Sequence, residues 1–228
     1  MPPSKPAGQT ASKPAPKSRP GPGRPTREQA QERNLELLDR ALDLFLEKGF
    51  ERTTIEGIAS SVGMAKRTVY SLYGDKKSLF KASLERAIND WIVPIDVLRA
   101  AESDDLEKTL LKIGNILVDN MLTPEGLRLL RITNAEAYHL PEIGAYTYAM
   151  GTGPTLEYLA GLFTRRLKAQ GMKRRQAQDA ALAFLDLVVG GPASSTVWGV
   201  PMEDREIARH TRYCVRLFLR GLQGAGAG

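Results

Sequence analysis

A chain of 228 residues with 42% hydrophobic composition is long enough to bury one or two cores, and its formal charge of +6 makes it basic overall. No run of about 18 apolar residues stands out as a membrane span, and the Lys/Pro/Ser/Ala-rich N-terminus lacks the apolar centre of a secretory signal. The single cysteine, Cys214, excludes an internal disulfide and fits a reducing cytoplasm.

Residues 1 to 25 contain no aliphatic side chain larger than alanine after Met1, so they cannot offset the entropy of ordering and are expected to be disordered in isolation. Residues 1 to 27 carry Lys5, Lys13, Lys17, Arg19, Arg24 and Arg27 and no acid. Residues 28 to 64 hold four cations against eight acids, residues 65 to 81 hold five cations against Asp75, and the remainder balances. Positive charge is therefore gathered in the tail and just after residue 64, the two places that could reach a polyanion. Within the tail, Gly21-Pro22-Gly23-Arg24-Pro25 resembles the Gly-Arg-Pro centre of minor-groove arms, which makes Arg24 a candidate DNA contact; Pro22 stands where a full motif has a second Arg.

From Thr26 to Lys48, Leu38, Ala41, Leu42 and Phe45 recur at helical spacing, which predicts a long amphipathic helix ended by Gly49. Thr53 with Glu56 predicts a capping box, and Ile55, Ile58, Ala59 and Val62 mark one face of the short helix that follows. Gly63 can enter the left-handed conformation and reverse the chain. In the next short helix Val69 and Tyr73 form an inward i, i+4 pair. Lys66, Arg67, Thr68, Tyr70 and Ser71 are left outward, a set of cations, hydroxyls and one aromatic that suits a phosphate-lined groove. A plain solvated helix face is polar too. The capped helix, the glycine turn, the second short helix and a third opened by Asp75 as N-cap together favour a helix-turn-helix.

From Lys76 to about Trp91 a helix with Phe80, Leu84, Ala87, Ile88 and Trp91 along one side links this head to the rest. Beyond Pro94 there is no strand-like alternation, and helices are expected at about 96 to 101, 105 to 121, 124 to 138, 143 to 170, 174 to 190 and 203 to 222, with Gly151, Gly153 and Pro154 interrupting the longest. Two of these runs have more apolar surface than one helix side needs: Ala177, Ala180, Ala181, Phe184, Leu185, Leu187 and Val188 in the first, Ile207, Tyr213, Val215, Leu217, Phe218 and Leu219 in the second. Such a surplus argues for a partner. The final Gly-Ala run is expected to fray.

Thr53, Thr54, Ile58, Ala59, Gly63, Thr68, Val69, Tyr70, Lys76, Leu79 and Phe80 fall on the pattern T-T-x-x-I-A-x-x-x-G-V-S-x-x-T-(L/V)-Y-x-H-F-x-x-K-x-x-L-F, and the segment resembles the helix-turn-helix of the tetracycline-repressor (TetR) family. Ala65 stands where a serine usually caps the recognition helix, and Leu72 where a histidine usually lies near the DNA backbone. Residues 131 to 143 resemble an element of one broad, AcrR-like branch of that family. The resemblance implies an all-α fold with a three-helix DNA-binding head over residues 26 to 75 and a C-terminal helical ligand-binding and dimerisation domain over 76 to 222, between the basic tail of 1 to 25 and a flexible end of 223 to 228. It implies a pseudo-palindromic double-stranded DNA operator touched by Thr53 or Thr54, Lys66, Arg67, Thr68, Tyr70, Ser71 and Lys76. It also implies a homodimer paired through its last two helices, and an amphipathic or aromatic small-molecule effector held between the middle helices. Candidates for that effector's lining are Trp91, Met121, Asn134 and Tyr138, with Tyr146, Tyr158, Phe184 and Trp198 farther along. On this reading the chain is a transcriptional regulator, a repressor released from its operator by the effector. The rival is a constitutive DNA-binding or architectural dimer that takes no effector.

A helical enzyme is a distant third, because catalytic groups are sparse. Glu136-x-x-His139 occurs once, where a di-iron bundle needs two such motifs and two further carboxylates. His210 is the only other histidine, Cys214 sits in an apolar helix where a thiol is inert, and no glycine-rich phosphate loop follows a strand. No cofactor and no metal are expected.

Overall fold

The computed structural model describes residues 26–138 and 140–225; the basic tail with Arg24, and His139, lie outside the described residues. Among the described residues the structure is helical, without a strand, so the all-α expectation holds. The first helix, α1 (Arg27–Arg52), starts at Thr26, whose hydroxyl accepts from the Gln29 amide at 3.2 Å while the Gln29 side chain accepts from the Thr26 amide at 3.0 Å. Gly49 breaks its regularity at φ 78° and ψ 162°, a conformation that a residue without Cβ adopts at little cost. Then come α2 (Ile55–Ser61), α3 (Lys66–Tyr73) and α4 (Lys76–Trp91), with Gly63 at φ 63° in the turn before α3.

One local expectation is corrected. Thr54, not Thr53, caps α2, its hydroxyl accepting from the Gly57 amide at 3.1 Å. Thr53 is buried and ends α1 instead, its single hydroxyl proton facing the carbonyls of Leu44 at 3.0 Å and Gly49 at 2.8 Å. The broken turn at Gly49 leaves carbonyls without helical partners, and a buried hydroxyl in reach takes them up.

The remaining helices are α5 (Ile95–Ala100), α6 (Leu106–Met121), α7 (Pro124–Glu136), α8 (Pro141–Thr147), α9 (Gly153–Arg166), α10 (Arg174–Leu185), α11 (Gly191–Val197) and α12 (Asp204–Ala225). The interruption expected at Gly151, Gly153 and Pro154 takes the form of a π turn rather than a break in the chain. A π turn at Tyr148–Thr152 carries α8 into α9, with the Gly153 amide donating to the Tyr148 carbonyl five residues back, and that wider turn makes room for the Pro154 ring. A second π turn at Asp186–Gly190 joins α10 to α11. The continuous run Arg174–Val197 has a mean hydropathy of 1.4 over its most apolar 18 residues, so by length and composition it could cross a membrane, against the sequence reading. Here Ala177, Ala181, Phe184 and Val188 of that run pack into a helical core.

Two cores are present. In the first, Leu37, Ala41, Phe45, Ile58, Val69, Phe80 and Leu84 bring α1 to α4 together, and Leu129 and Ile132 of α7 and Ile143 of α8 join them. The rings of Phe45, Phe50 and Phe80 lie 4.7–5.7 Å apart. The second core is built from α5, α6, α9, α10, the second π turn, α11 and α12, around Phe163, Phe184 and Phe218. Gly114 of α6 lets α12 approach closely: a Cβ there would stand 3.2 Å from both Thr211 and Val188 side chains. Helix α4 thus belongs to the head's core along its length while α7 and α8 reach into that core from the body, which seats the head firmly.

Candidate nucleic-acid interface

Helix α3 exposes one polar face. Val69 is its buried residue, Tyr73 is half-buried with its hydroxyl donating to Asn34 of α1 at 2.6 Å, and Lys66, Arg67, Thr68, Tyr70 and Ser71 are all exposed. Burial against α1 pushes the Tyr73 phenol's pKa above its ordinary value, so it stays a hydrogen-bond donor and anchors α3. At the start of α3, Ala65 offers no side-chain cap, as its identity required, so the first amides there are open. Lys66 is shared between Glu56, 3.2 Å away, and the Tyr70 ring, 6.0 Å from its centroid. Both groups are exposed, so that pairing is weak and readily exchanged for a phosphate. Arg67 has no side-chain hydrogen bond or ion pair within the described residues. Thr54 is exposed at the N-terminus of α2 on its own capping bond.

Two sequence candidates leave this face. Thr53 is buried under α1, as described above, and its hydroxyl is spent on two carbonyls. Lys76 turns inward: its ammonium donates to the carbonyls of Phe50 at 2.9 Å and Glu51 at 3.3 Å and lies 4.3 Å from the centre of the Phe50 ring. There it faces the C-terminal end of α1, whose partial negative charge it complements. Sequence reading missed this because the break at Gly49, which leaves those carbonyls free, and Lys76 are far apart in the chain.

Four polar contacts hold the head in place. Arg86 of α4 clamps Asp39 of α1 with two hydrogen bonds of 3.0 and 3.2 Å, and that carboxylate raises the guanidinium's pKa. Lys77 pairs with Glu142 of α8, holding that carboxyl below its usual range. Arg128 of α7 pairs with Asp43 of α1. The buried carboxylate of Glu136, at the end of α7, accepts the Phe50 amide at 3.2 Å. At the other end of α4, the Trp91 indole donates to the Asn120 carbonyl of α6 at 3.0 Å, and the Asn120 amide donates back to the Trp91 carbonyl at 3.3 Å.

The residues expected to line an effector cavity are divided between the two cores and the surface. Phe184 is fully buried in the second core; Tyr158 is buried too, and that burial, with the 3.0 Å bond its hydroxyl donates to Glu102, raises its pKa. Trp91 and Tyr146 pack on the first core and Met121 on the second. Asn134 is exposed, as are Tyr138 at 87% and Trp198 at 78%. Aromatic and polar types alone cannot separate a core ring from a surface ring, which is why the sequence grouped them. On the outer side of α10, the second π turn and α12, Leu182, Leu187, Tyr213 and Leu217 are exposed, whereas Phe184, Val215 and Phe218 are inside.

A short polar helix presented behind a glycine turn, anchored by a buried partner helix and seated on a helical body, defines a helix-turn-helix DNA-binding protein. Comparison with known proteins agrees. The family model described as "Bacterial regulatory proteins, tetR family" matches residues 37–83, and the "AefR-like transcriptional repressor, C-terminal domain" model matches residues 108–221. The chain belongs to the TetR family of transcriptional regulators, whose members bind DNA operators and dimerise. Among curated relatives, the biofilm operon icaADBC HTH-type negative transcriptional regulator IcaR of Staphylococcus epidermidis is 36% identical over 56 residues, 25% of this chain and 30% of that protein. IcaR of Staphylococcus aureus is 39% identical over 49 residues, 22% of this chain and 26% of the relative. The chain thus spans less than a third of the length of these relatives. Among solved structures, the flavonoid-responsive regulator FrrA superposes with a TM-score of 0.67 at 24% identity, over 83% of this chain and 97% of that one. NalD of Pseudomonas aeruginosa, the secondary repressor of the MexAB-OprM multidrug efflux pump, superposes with a TM-score of 0.65 at 22% identity, over 86% and 98%. At such identities the likeness is one of fold.

Proposed function

We propose that this chain is a cytoplasmic repressor that holds a pseudo-palindromic operator as a homodimer and releases it when a small amphipathic or aromatic molecule binds the C-terminal region. The observation that carries the DNA-binding half is the face of α3, where Arg67, Thr68, Tyr70 and Ser71 are exposed and Lys66 is held only by surface contacts. With Thr54 they form the contact set, Arg67 and Lys66 lying in the N-terminal turn that enters the major groove. Residues 26 to 75 act as the reading head and 76 to 222 as the sensing and pairing region, joined by α4.

Release needs a path from body to head, and the paired hydrogen bonds of Trp91 and Asn120 supply one, since a displacement of α6 there moves α4 and with it the head. The ligand need prefer the misaligned state by only a few kcal/mol to empty the operator. The names of the relatives, a negative regulator and an efflux-pump repressor, are consistent with repression. A thermal-shift screen of aromatic and amphipathic compounds on the full chain tests the gating. A stabilising compound that also lowers operator affinity supports it, and a screen in which no binder affects operator affinity favours the constitutive DNA-binding dimer.

A further inference from the structure

A cleft of about 410 Å³ opens between α1 of the head and α7 of the body, a volume in the range of small-molecule sites. Leu46 and Ala135 give it apolar surface over the buried edges of Phe45 and Ile132, and its charged lining is Asp43, Glu47, Arg128, Arg131 and Glu136. These charges are unequally satisfied. Asp43 is paired with Arg128, and Arg40 stands 3.7 Å from Asp43 and 3.9 Å from Glu47. Arg131 is exposed, where solvent and salt screen it. Glu136 is only 9% exposed, and the sole hydrogen bond to its carboxylate among the described residues comes from the neutral Phe50 amide; no Lys or Arg of the described residues pairs with it. A carboxylate so far out of water gains most from a cation.

We infer that this cleft binds a small lipophilic cation, an alkyl- or arylalkylammonium, with the ammonium against Glu136 and the apolar body on Leu46 and Ala135. The inference rests on the effector-released reading and gives it a site and a ligand class. Glu136 is also a positioning residue for the head, because the amide it holds belongs to Phe50, beside the carbonyl that Lys76 caps and just before the α1–α2 turn. A cation that draws the carboxylate away frees that amide and loosens the head's seat on α7.

The test titrates benzyltrimethylammonium chloride into the full chain by calorimetry, with benzenesulfonate as an anion of similar size, and follows hydrogen exchange at the Phe50 amide. Glu136→Gln keeps an acceptor for Phe50 but removes the charge, so it is expected to weaken the ammonium at least about tenfold with little change in melting temperature, whereas Glu47→Gln at the rim changes affinity by less than about threefold. The ammonium is expected to speed exchange at Phe50 in the parent and not in Glu136→Gln. No binding of the ammonium, equal binding by Glu136→Gln, or equal binding of the sulfonate overturns the inference. If the ammonium fails while another compound both binds and releases the operator, the cleft assignment falls and effector gating stands. If no compound does either, both fall.

Discussion

Arg67 and Lys76, two cations of one motif, sit in opposite surroundings. Arg67 is exposed and has no side-chain partner among the described residues, which leaves its hydrogen-bonding groups open to a ligand. Arg67→Ala is expected to flatten preference at one operator position and to cost about 1–3 kcal/mol if that position is guanine. Equal operator affinity of variant and parent at matched salt contradicts that role. Lys76 is occupied by two carbonyls and a ring, so Lys76→Ala is expected to lower folding stability by about 1–2 kcal/mol while leaving the salt dependence of DNA binding unchanged. A salt slope smaller by one unit with unchanged stability would restore Lys76 to the DNA face. Ala65 leaves α3 uncapped, and Ala65→Ser is expected to add about 1 kcal/mol of stability, read as a raised melting temperature.

At the scale of elements, caps and joints decide where the helices sit. Asp75 caps α4 by accepting the Ser78 amide at 2.7 Å, and that bond holds its carboxyl below the usual range. A folded pKa below the unfolded one means that the stabilisation is complete above the ordinary carboxylate value and is lost as pH falls through the folded pKa. Asp75→Asn keeps a capping oxygen at every pH, so acid melting curves are expected to show the parent losing stability relative to the variant below the usual Asp range; parallel curves would contradict the cap. At the α4–α6 joint, a Cβ on Gly126 would stand 2.5 Å from the Met121 carbonyl, 2.8 Å from the Asn120 carbonyl and 2.8 Å from the Trp91 indole nitrogen. Gly126→Ala is therefore expected to destabilise by about 1–3 kcal/mol and to shift Trp91 fluorescence, whereas Gly161→Ala, with 3.5 Å to the nearest side-chain atom, is not.

The head was legible because its signals are local: Gly49, Gly63, Asp75 and the Val69–Tyr73 pair act within a few residues of themselves. Thr53 and Thr54 were separable only by the break at Gly49, which turns the first of two adjacent threonines inward. Gly151, Gly153 and Pro154 marked the place of the first π turn but not its form, and the second went unread, since an i→i+5 turn adds one residue without changing the apolar pattern enough to notice. Lys76 and Glu136 were not legible either, since their partners are 26 and 86 residues away in the chain.

For the whole molecule, dimerisation and head spacing are one question. Leu182 on α10 and Tyr213 and Leu217 on α12 leave an apolar face open to a second copy, and a two-fold pairing presents two heads to two half-sites. Leu217→Asp is expected to yield monomers by light scattering at micromolar concentration and to lose cooperative operator binding, without changing the fold, because Leu217 is 47% exposed in the isolated subunit. Phe184→Asp would not be informative, since Phe184 is in the core.

The most direct test is a footprint of the full chain on genomic fragments that it selects by affinity. Protection of a pseudo-palindrome whose half-site centres lie about 34–36 Å apart or a multiple of that, with Arg67→Ala losing contact symmetrically in both halves, is the expected result. Protection of a single half-site, or of any sequence equally, would contradict a dimer that reads its operator through α3.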